Sequence, residues 1–540
     1  MYKKTVMLAI IGSLLAGSAT VSAYESRLTP FRDVGESDWS AEHVYSLAAV
    51  QAVDGYADGG FHPLASMSRE EFIKMMIAAA GVSQDASLPA GQLKDVSSDR
   101  WSYPMIEAAM QRHWIDAMID SGGRFQPTAP IRREEVAYAM GTMLLSQAAE
   151  EQRKQWLDGG WMKERDARAF ADAGGINGAL APYVYYAANQ GLFEGSEKGF
   201  DPASPLSRQE AAAVIHRLLQ KDAGSKPLEV TGFYAIQSYN NLDKLKLLDR
   251  VALGWWHLDY KGAGSAGLGT SGDSHKFNLP QGWEEVTSAA DQSEVSKDLM
   301  VFANKSHQIE AFLADAAARS QFVQSVAAAV NDPRFGFTGV DIDFEDLYGP
   351  ERKNDFTALL SELKKALNGK KLTVAVPPVN YYEGYDLKAI GATADEVILM
   401  AYNFLSKPDR LPSAPLPLVA ETIRDTLAAG VLKDKLVLGI GKRTDQFIGN
   451  AEQATYASPA SSSVEERLLK PGVRQSLAVP YLLKRVQYTD GADNELFYED
   501  ADSIDRKLWV ARYYGLKGVA LWYMGQYVED DWQRIGKLRP

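Results

Sequence analysis

Residues 337–346 read FTGVDIDFED, an apolar run with an acid at every second position from Asp341 to Glu345. Successive side chains of a strand point to opposite faces. Val340, Ile342 and Phe344 therefore share one apolar face, and Asp341, Asp343 and Glu345 share the other. A buried carboxylate is costly unless it is paired or hydrogen-bonded, and stacked like charges resist joint ionisation. The segment needs a fold that packs one face of a buried strand and gives the other face a reason to hold acids.

The rest of residues 229–540 points to such a fold. β-rich runs at 229–236, 250–260, 299–304, 338–345, 371–378, 396–403, 435–441 and 518–525 alternate with helical stretches such as NDFTALLSELKKALNG and PLVAETIRDTLAAG. Eight strands with intervening helices predict an α/β fold, a closed (β/α)8 TIM barrel. An open doubly wound sheet is the alternative, but no Gly-rich phosphate fingerprint follows the first strand to favour its nucleotide-binding form. In a barrel, Asp341, Asp343 and Glu345 point inward and climb toward the C-terminal mouth, where barrel enzymes place their chemistry. Glu345 is the highest of the three, and a raised pKa there would make it a general acid. A structural hydrogen-bonded cluster and a hard-cation site are the competing readings. Without a nearby His a transition metal is disfavoured, and neither metal nor cofactor is expected.

Upstream, one unit occurs three times, starting at Phe31, Leu93 and Phe170. Each copy opens on an apolar residue followed by Asp33, Asp95 or Asp172. Each closes on Phe, Pro and Arg at fixed spacing: Phe61, Pro63 and Arg69; Phe125, Pro127 and Arg133; Phe200, Pro202 and Arg208. Glu71, Glu135 and Glu210 follow two residues after the Arg. The pattern predicts two helices per unit, separated by a Gly/Pro turn. Ser68 and Ser207 are placed to cap the second helix, with Glu at its third position. The expected all-α module comprises residues 30–90, 91–145 and 169–220. Residues 146–168 form an inserted helical connector and 221–228 a polar linker.

The first 23 residues carry Lys3 and Lys4, a short apolar run and a small-residue ending at Ala23. That pattern predicts a cleaved secretory signal; an N-terminal membrane anchor is the alternative, though the run is short for a spanning helix. No later stretch is long and apolar enough to span. The net charge of −13 makes nucleic acid an unsuitable partner for the surface as a whole. There is no cysteine, so export without disulfides fits a bacterial wall.

Two families resemble these patterns. The closing segments Met67–Glu71, Ile131–Glu135 and Leu206–Glu210 resemble the I-T-R-A-E signature of the S-layer homology domain. The resemblance implies a three-lobed anchor gripping an anionic, typically pyruvylated, secondary cell-wall polymer. Arg69, Arg133 and Arg208 would pair the ketal carboxylate with their guanidinium forks. The other reading of each Arg is that it caps its helix or bridges a neighbouring Glu. The third copy lacks the Trp found at Trp39 and Trp101.

In the barrel, TGVDIDFE resembles the D-G-x-D-x-D-x-E signature of glycoside hydrolase family 18, with Thr338 replacing the first Asp. MAYN, from Met400 to Asn403, resembles its sixth-strand motif, and GVALWYMG its eighth strand with a terminal Trp. FYEDADSIDRKLWVARYYGLKGVALW is similar to the spore-cortex-lytic and glucosaminidase branch. The family implies substrate-assisted, retaining hydrolysis. Glu345 would protonate the glycosidic oxygen, Asp343 would orient the substrate acetamide, and Asp341 would share a proton with Asp343. Tyr402 would donate its hydroxyl to the acetamide and Trp522 would floor the sugar pocket, with Met400 and Asn403 lining it. Core packing is the rival role for Tyr402, Trp522 and Met400, and backbone satisfaction for Asn403.

Trp256, Trp283, Tyr381 and Tyr382 are further candidate sugar platforms. A Gly/Ser-rich loop at 261–286 and an insertion at about 445–496 flank the cleft. The expectation is a secreted, cell-wall-anchored hydrolase of N-acetylglucosamine polymers, peptidoglycan first and chitin second. A sugar-binding barrel that does not cut, serving as a lectin or architectural wall protein, is the alternative from another class. A third is a vestigial barrel behind a working anchor.

Overall fold

A computed structural model describes residues 28–82, 93–224, 226–378, 382–450 and 454–538. The expected signal segment and Tyr381 lie outside the described residues.

Eight parallel strands close into a ring: β1 (Glu229–Tyr234), β2 (Arg250–Gly262), β4 (Ser296–Ala303), β5 (Gly339–Phe344), β6 (Lys371–Val376), β7 (Glu396–Leu399), β8 (Leu436–Gly441) and β14 (Gly518–Trp522). β1 pairs with both β14 and β2, which seals the cylinder and rules out the open sheet. Every strand expected from the sequence is present. The sixth stops at Leu399, so Met400–Asn403 leaves the strand end as a loop. Part of the 261–286 loop is ordered as β3 (Ser265–Gly269), antiparallel to β2. Between β8 and β14 the chain builds a separate antiparallel sheet of β9 (Thr444–Ile448), β10 (Thr455–Ala457), β11 (Arg474–Ala478), β12 (Leu483–Asp490) and β13 (Ala492–Tyr498).

The alternation along β5 holds. Val340, Ile342 and Phe344 are buried on the helix side, where Phe344 packs against Phe322 and Phe356 with ring centres 6.0 and 6.1 Å apart. The interior is a filled core, as in other barrels, and includes Phe233, Met300, Phe302, Ile398, Met400 and Val437.

The N-terminal region is helical. It contains α1 (Ala41–Ala49), α2 (Arg69–Ala79), α3 (Tyr103–Gln111) and α4 (Arg133–Gln147), then α5 (Glu150–Gln155) and α6 (Trp161–Arg168) of the connector, then α7 (Ala181–Asn189) and α8 (Arg208–Gly224). One device recurs in each unit. Asp33 accepts from the Phe61 and His62 amides, Asp95 from those of Phe125 and Gln126, and Asp172 from those of Phe200 and Asp201. The half-buried Asp thereby clips the turn before the second helix. The segments preceding α2, α4 and α8 are joined in a cycle: Met67 N–H donates to Leu206 O (3.0 Å), Leu206 N–H to Ile131 O (2.8 Å) and Ile131 N–H to Met67 O (2.9 Å). Ser68 caps α2 with Glu71 reaching back, the capping box anticipated from the spacing.

The expected linker at 221–228 is corrected in part, because α8 runs on to Gly224 and β1 starts at Glu229. Helix and barrel are also clamped laterally. Trp509, on the barrel helix Ala501–Tyr513, meets His216 of α8 edge-on at 4.9 Å. Arg506 pairs with Glu42 at 2.9 Å, Arg485 with Glu36 at 2.5 Å, and Arg424 donates to Ala49 O. Among the described residues, no helix is long and apolar enough to cross a membrane.

Candidate active site

β5 delivers its acids as a ladder. In the register with β4, Asp341 lies opposite Met300 and Asp343 opposite Phe302, both interior residues. Asp341 and Asp343 are each 1 % exposed, while Glu345, just past the strand end, is half-buried at the mouth. Burial pushes the Asp341 carboxyl up to about 8, with the neighbouring Asp298 adding to the effect. Asp343 is held well above the usual carboxylate range by burial and then by Glu345 and Asp341. Glu345 is raised to about 7, by burial first and by Asp346 second, against the opposing pull of Arg443. Burial thus raises all three rungs of the ladder above the ordinary carboxylate range. The direct proton sharing expected between Asp341 and Asp343 is corrected, since neither Asp341 oxygen has a hydrogen-bond partner.

Below the ladder sits an ion cluster that the sequence did not signal. Asp298, paired in register with Gly339, is fully buried and raised to about 6. It lies 3.4 Å from Arg250, which also grips Glu396, and Glu396 in turn meets Lys371 at 2.7 Å. Thr338, standing where the family signature has Asp, donates to Lys297 O and is 3.2 Å from Asp298. A neighbouring strand thus supplies a carboxylate beside the position where β5 lacks one.

Tyr402 is 4 % exposed and reaches the interior beside Met400. Burial raises its hydroxyl well above the ordinary tyrosine value, with Asp343 and Glu345 adding to that. Two glycines of β8 make room for its ring: a Cβ on Gly441 would come within 2.9 Å of Tyr402 Cγ, and one on Gly439 within 3.1 Å of its Cε1. Trp522, at the end of β14, packs edge-on against Phe233 at 5.1 Å and stays partly open. Asn403 is exposed, with a left-handed backbone at φ 90°. Tyr402, Trp522 and Met400 thus gather with the acids, and Asn403 lies at the rim.

Trp256 does not join them, which corrects the expectation. The register between β2 and β4 jumps between Leu253 and Trp256, and such an irregularity breaks simple alternation. Trp256 is 3 % exposed and packs against Phe335 and Phe337, each at 5.4 Å. Trp283 also packs on Phe335, at 4.4 Å. Tyr382 stacks at 5.0 Å on Tyr348, which is 54 % exposed and donates to Asp346 next to the acid. Tyr348 and Arg443 are mouth residues that the motifs did not mark; only their place just after a strand end could have pointed to them.

The three repeat arginines differ from one another. Arg69 pairs with Glu135 of the next unit at 2.5 Å and donates to Phe125 O at 2.7 Å. Arg133 pairs with Glu210 at 3.2 Å and donates to Glu194 O. Arg208 donates to Asp54 O and lies 4.9 and 4.6 Å over the rings of Tyr56 and Phe61, with no carboxylate partner among the described residues. Beside it opens a cavity of about 460 Å³ that Lys74, Trp101 and Glu71 also line.

The sequence profile of Glycosyl hydrolases family 18 matches residues 230–526, the whole barrel with its ladder. The chain belongs to this family. The glycoside hydrolase family 18 domain follows S-layer homology domains, whose profile matches residues 30–73 and 169–212. Such domains mark cell-surface anchoring. Among curated relatives, "Putative sporulation-specific glycosylase YdhD" of Bacillus subtilis is 29% identical over 40% of this chain and 53% of its own length. "Surface-layer 125 kDa protein" of Lysinibacillus sphaericus is 27% identical over 38% of this chain and 17% of its own. The chain therefore spans about half or less of these relatives. The family 18 fold is shared with the spore cortex-lytic enzyme SleL of Bacillus cereus, at TM-score 0.50 and 17% identity over 58% of this chain and 75% of that one. A chitinase of Chromobacterium violaceum matches at TM-score 0.50 and 20% identity, over 58% and 98%.

Proposed function

We propose that this chain is an exported hydrolase that cuts β-linked N-acetylglucosamine polymers by substrate-assisted, retaining catalysis, with peptidoglycan first and chitin second. The observation that carries the reading is Glu345 at the mouth, raised to about 7, next along the ladder from the buried Asp343, whose carboxyl is also pushed upward, and near the buried Tyr402. Glu345 gives its proton to the glycosidic oxygen as the C1–O bond breaks. The substrate's acetamide oxygen closes on C1, and Asp343 and Tyr402 hold that acetamide in place. Water then attacks C1 and returns a proton to Glu345, so the configuration is retained. Trp522 offers its face to the sugar ring.

The wall is the proposed location, held through three S-layer homology repeats. The Asp95 clip and the Ile131 link in the backbone cycle favour counting residues 91–145 as the second repeat. An anionic, pyruvylated polymer is the proposed ligand, and the Arg208 groove, with Lys74 and Trp101, is the best furnished to take it. Arg69 and Arg133 are tied into inter-repeat ion pairs.

Product analysis on purified peptidoglycan and on chitin oligomers tests the activity. New reducing ends at N-acetylglucosamine, lost in Glu345→Gln, are expected. Sugar binding without turnover by the wild type would favour the lectin. For the anchor, Arg208→Ala should release the protein from pyruvylated walls. Unchanged retention on walls stripped of pyruvyl groups would refute the ligand.

A further inference from the structure

Arg443 is an oddity at the mouth. It follows β8 by two residues, its amide donating to Gly441 O at 3.1 Å, on the strand whose glycines cradle Tyr402. β8 stands three strands from β5 around the ring, so Arg443 and Glu345 approach the site from different sides. The guanidinium is half-buried and has no hydrogen-bond or ion-pair partner among the described residues. A fixed cation near an acid that must keep its proton works against that acid, and Arg443 does pull Glu345 downward. An anion brought by the substrate would remove the conflict.

We propose that Arg443 binds the free lactyl carboxylate of a peptide-free N-acetylmuramic acid residue in the leaving-group half of the cleft. The inference rests on the hydrolase reading above and narrows its substrate. In a glycan that alternates the two amino sugars, the lactyl ether sits on O3 of the muramic acid, next to the O4 that leaves with Glu345's proton. One residue therefore presents an oxygen to be protonated and, beside it, a carboxylate suited to a guanidinium fork. Pairing neutralises Arg443 and lets Glu345 hold its proton. In stem-bearing glycan that carboxyl is an amide without charge, so a hydrolase that cuts the bond between muramic acid and peptide must act first.

The test uses the full chain and three tetrasaccharides: peptide-free alternating glycan, the same glycan with its lactyl carboxyls converted to amides, and chitotetraose. A charge-assisted pair predicts a preference of about tenfold to a hundredfold in kcat/KM for the free carboxylate over the amide. Arg443→Gln should bring that ratio to within about twofold. The alkaline limb of the rate profile should also lie higher on the free-carboxylate substrate than on the amide in the wild type, and on the amide substrate it should move up in Arg443→Gln, where the cation that pulls Glu345 downward is gone. Around Glu345 the other titratable groups are Asp343, Asp346, Tyr382, Tyr385 and Tyr402, and all remain in the variant. Dissociation constants measured in Glu345→Gln, with and without Arg443→Gln, read the same preference without turnover. A wild type that cuts all three substrates alike, or a variant that loses equally on all three, overturns the Arg443 assignment and leaves the hydrolase standing. Binding that prefers the free carboxylate, with no turnover by the wild type, overturns the hydrolase and leaves the assignment.

Discussion

Glu345 and Asp341 owe their protons to the same cause, burial, but they answer to different measurements. Glu345 must be protonated to act as an acid, and its carboxyl is held at about 7. Turnover should therefore fall as pH rises through about 7, a limb to be read from kcat against pH. Glu345→Gln should cost about 10² to 10⁴ in kcat while sugar binding survives. Asp341 governs stability. Its folded pKa of about 8 lies above the ordinary value near 4, so between those values the folded state holds a proton that the unfolded chain has released. Its contribution is then full below about pH 4 and declines as pH rises to about 8. Asp341→Asn should remove that decline, and urea midpoints at pH 5 and pH 8.5 should differ less in the variant than in the wild type.

At the scale of elements, β8 shapes the site through the room it leaves. Its glycines leave the space that Tyr402 fills, and a methyl on Gly441 would overlap that ring. Gly441→Ala should displace the hydroxyl and lower kcat about tenfold or more. Overpacking would add about 1–3 kcal/mol of destabilisation, read from a denaturant melt. β5 was legible in the sequence because its pleat is regular, so parity alone assigns each acid to the interior. β2 was not, because its register with β4 slips before Trp256 and carries that ring into the outer core. The sixth motif was legible as part of the site but not in its backbone, since the chain leaves β7 at Leu399 before reaching Tyr402. Arg443 belongs to no motif, and its place became visible only once the strand ends met around one opening.

At the scale of the molecule, the repeat spacing foretold the helices but not their closure. Arg69 finds its acid 66 residues away and Arg133 finds one 77 away, contacts that exist only after the units join into a cycle. The same long-range logic ties anchor to barrel. Trp509 is 7 % exposed at that junction. Trp509→Ala should remove about 3–5 kcal/mol of packing and split one calorimetric transition into two, and a single unshifted endotherm would show that the modules do not support each other.

The helix that ends the anchor runs almost directly into the first strand of the cylinder, and side chains brace the corner. On the proposed anchoring, the barrel cannot sweep an area around its mooring, so the wall strands it meets would be chosen by where it is moored and at what angle, before any sugar is recognised.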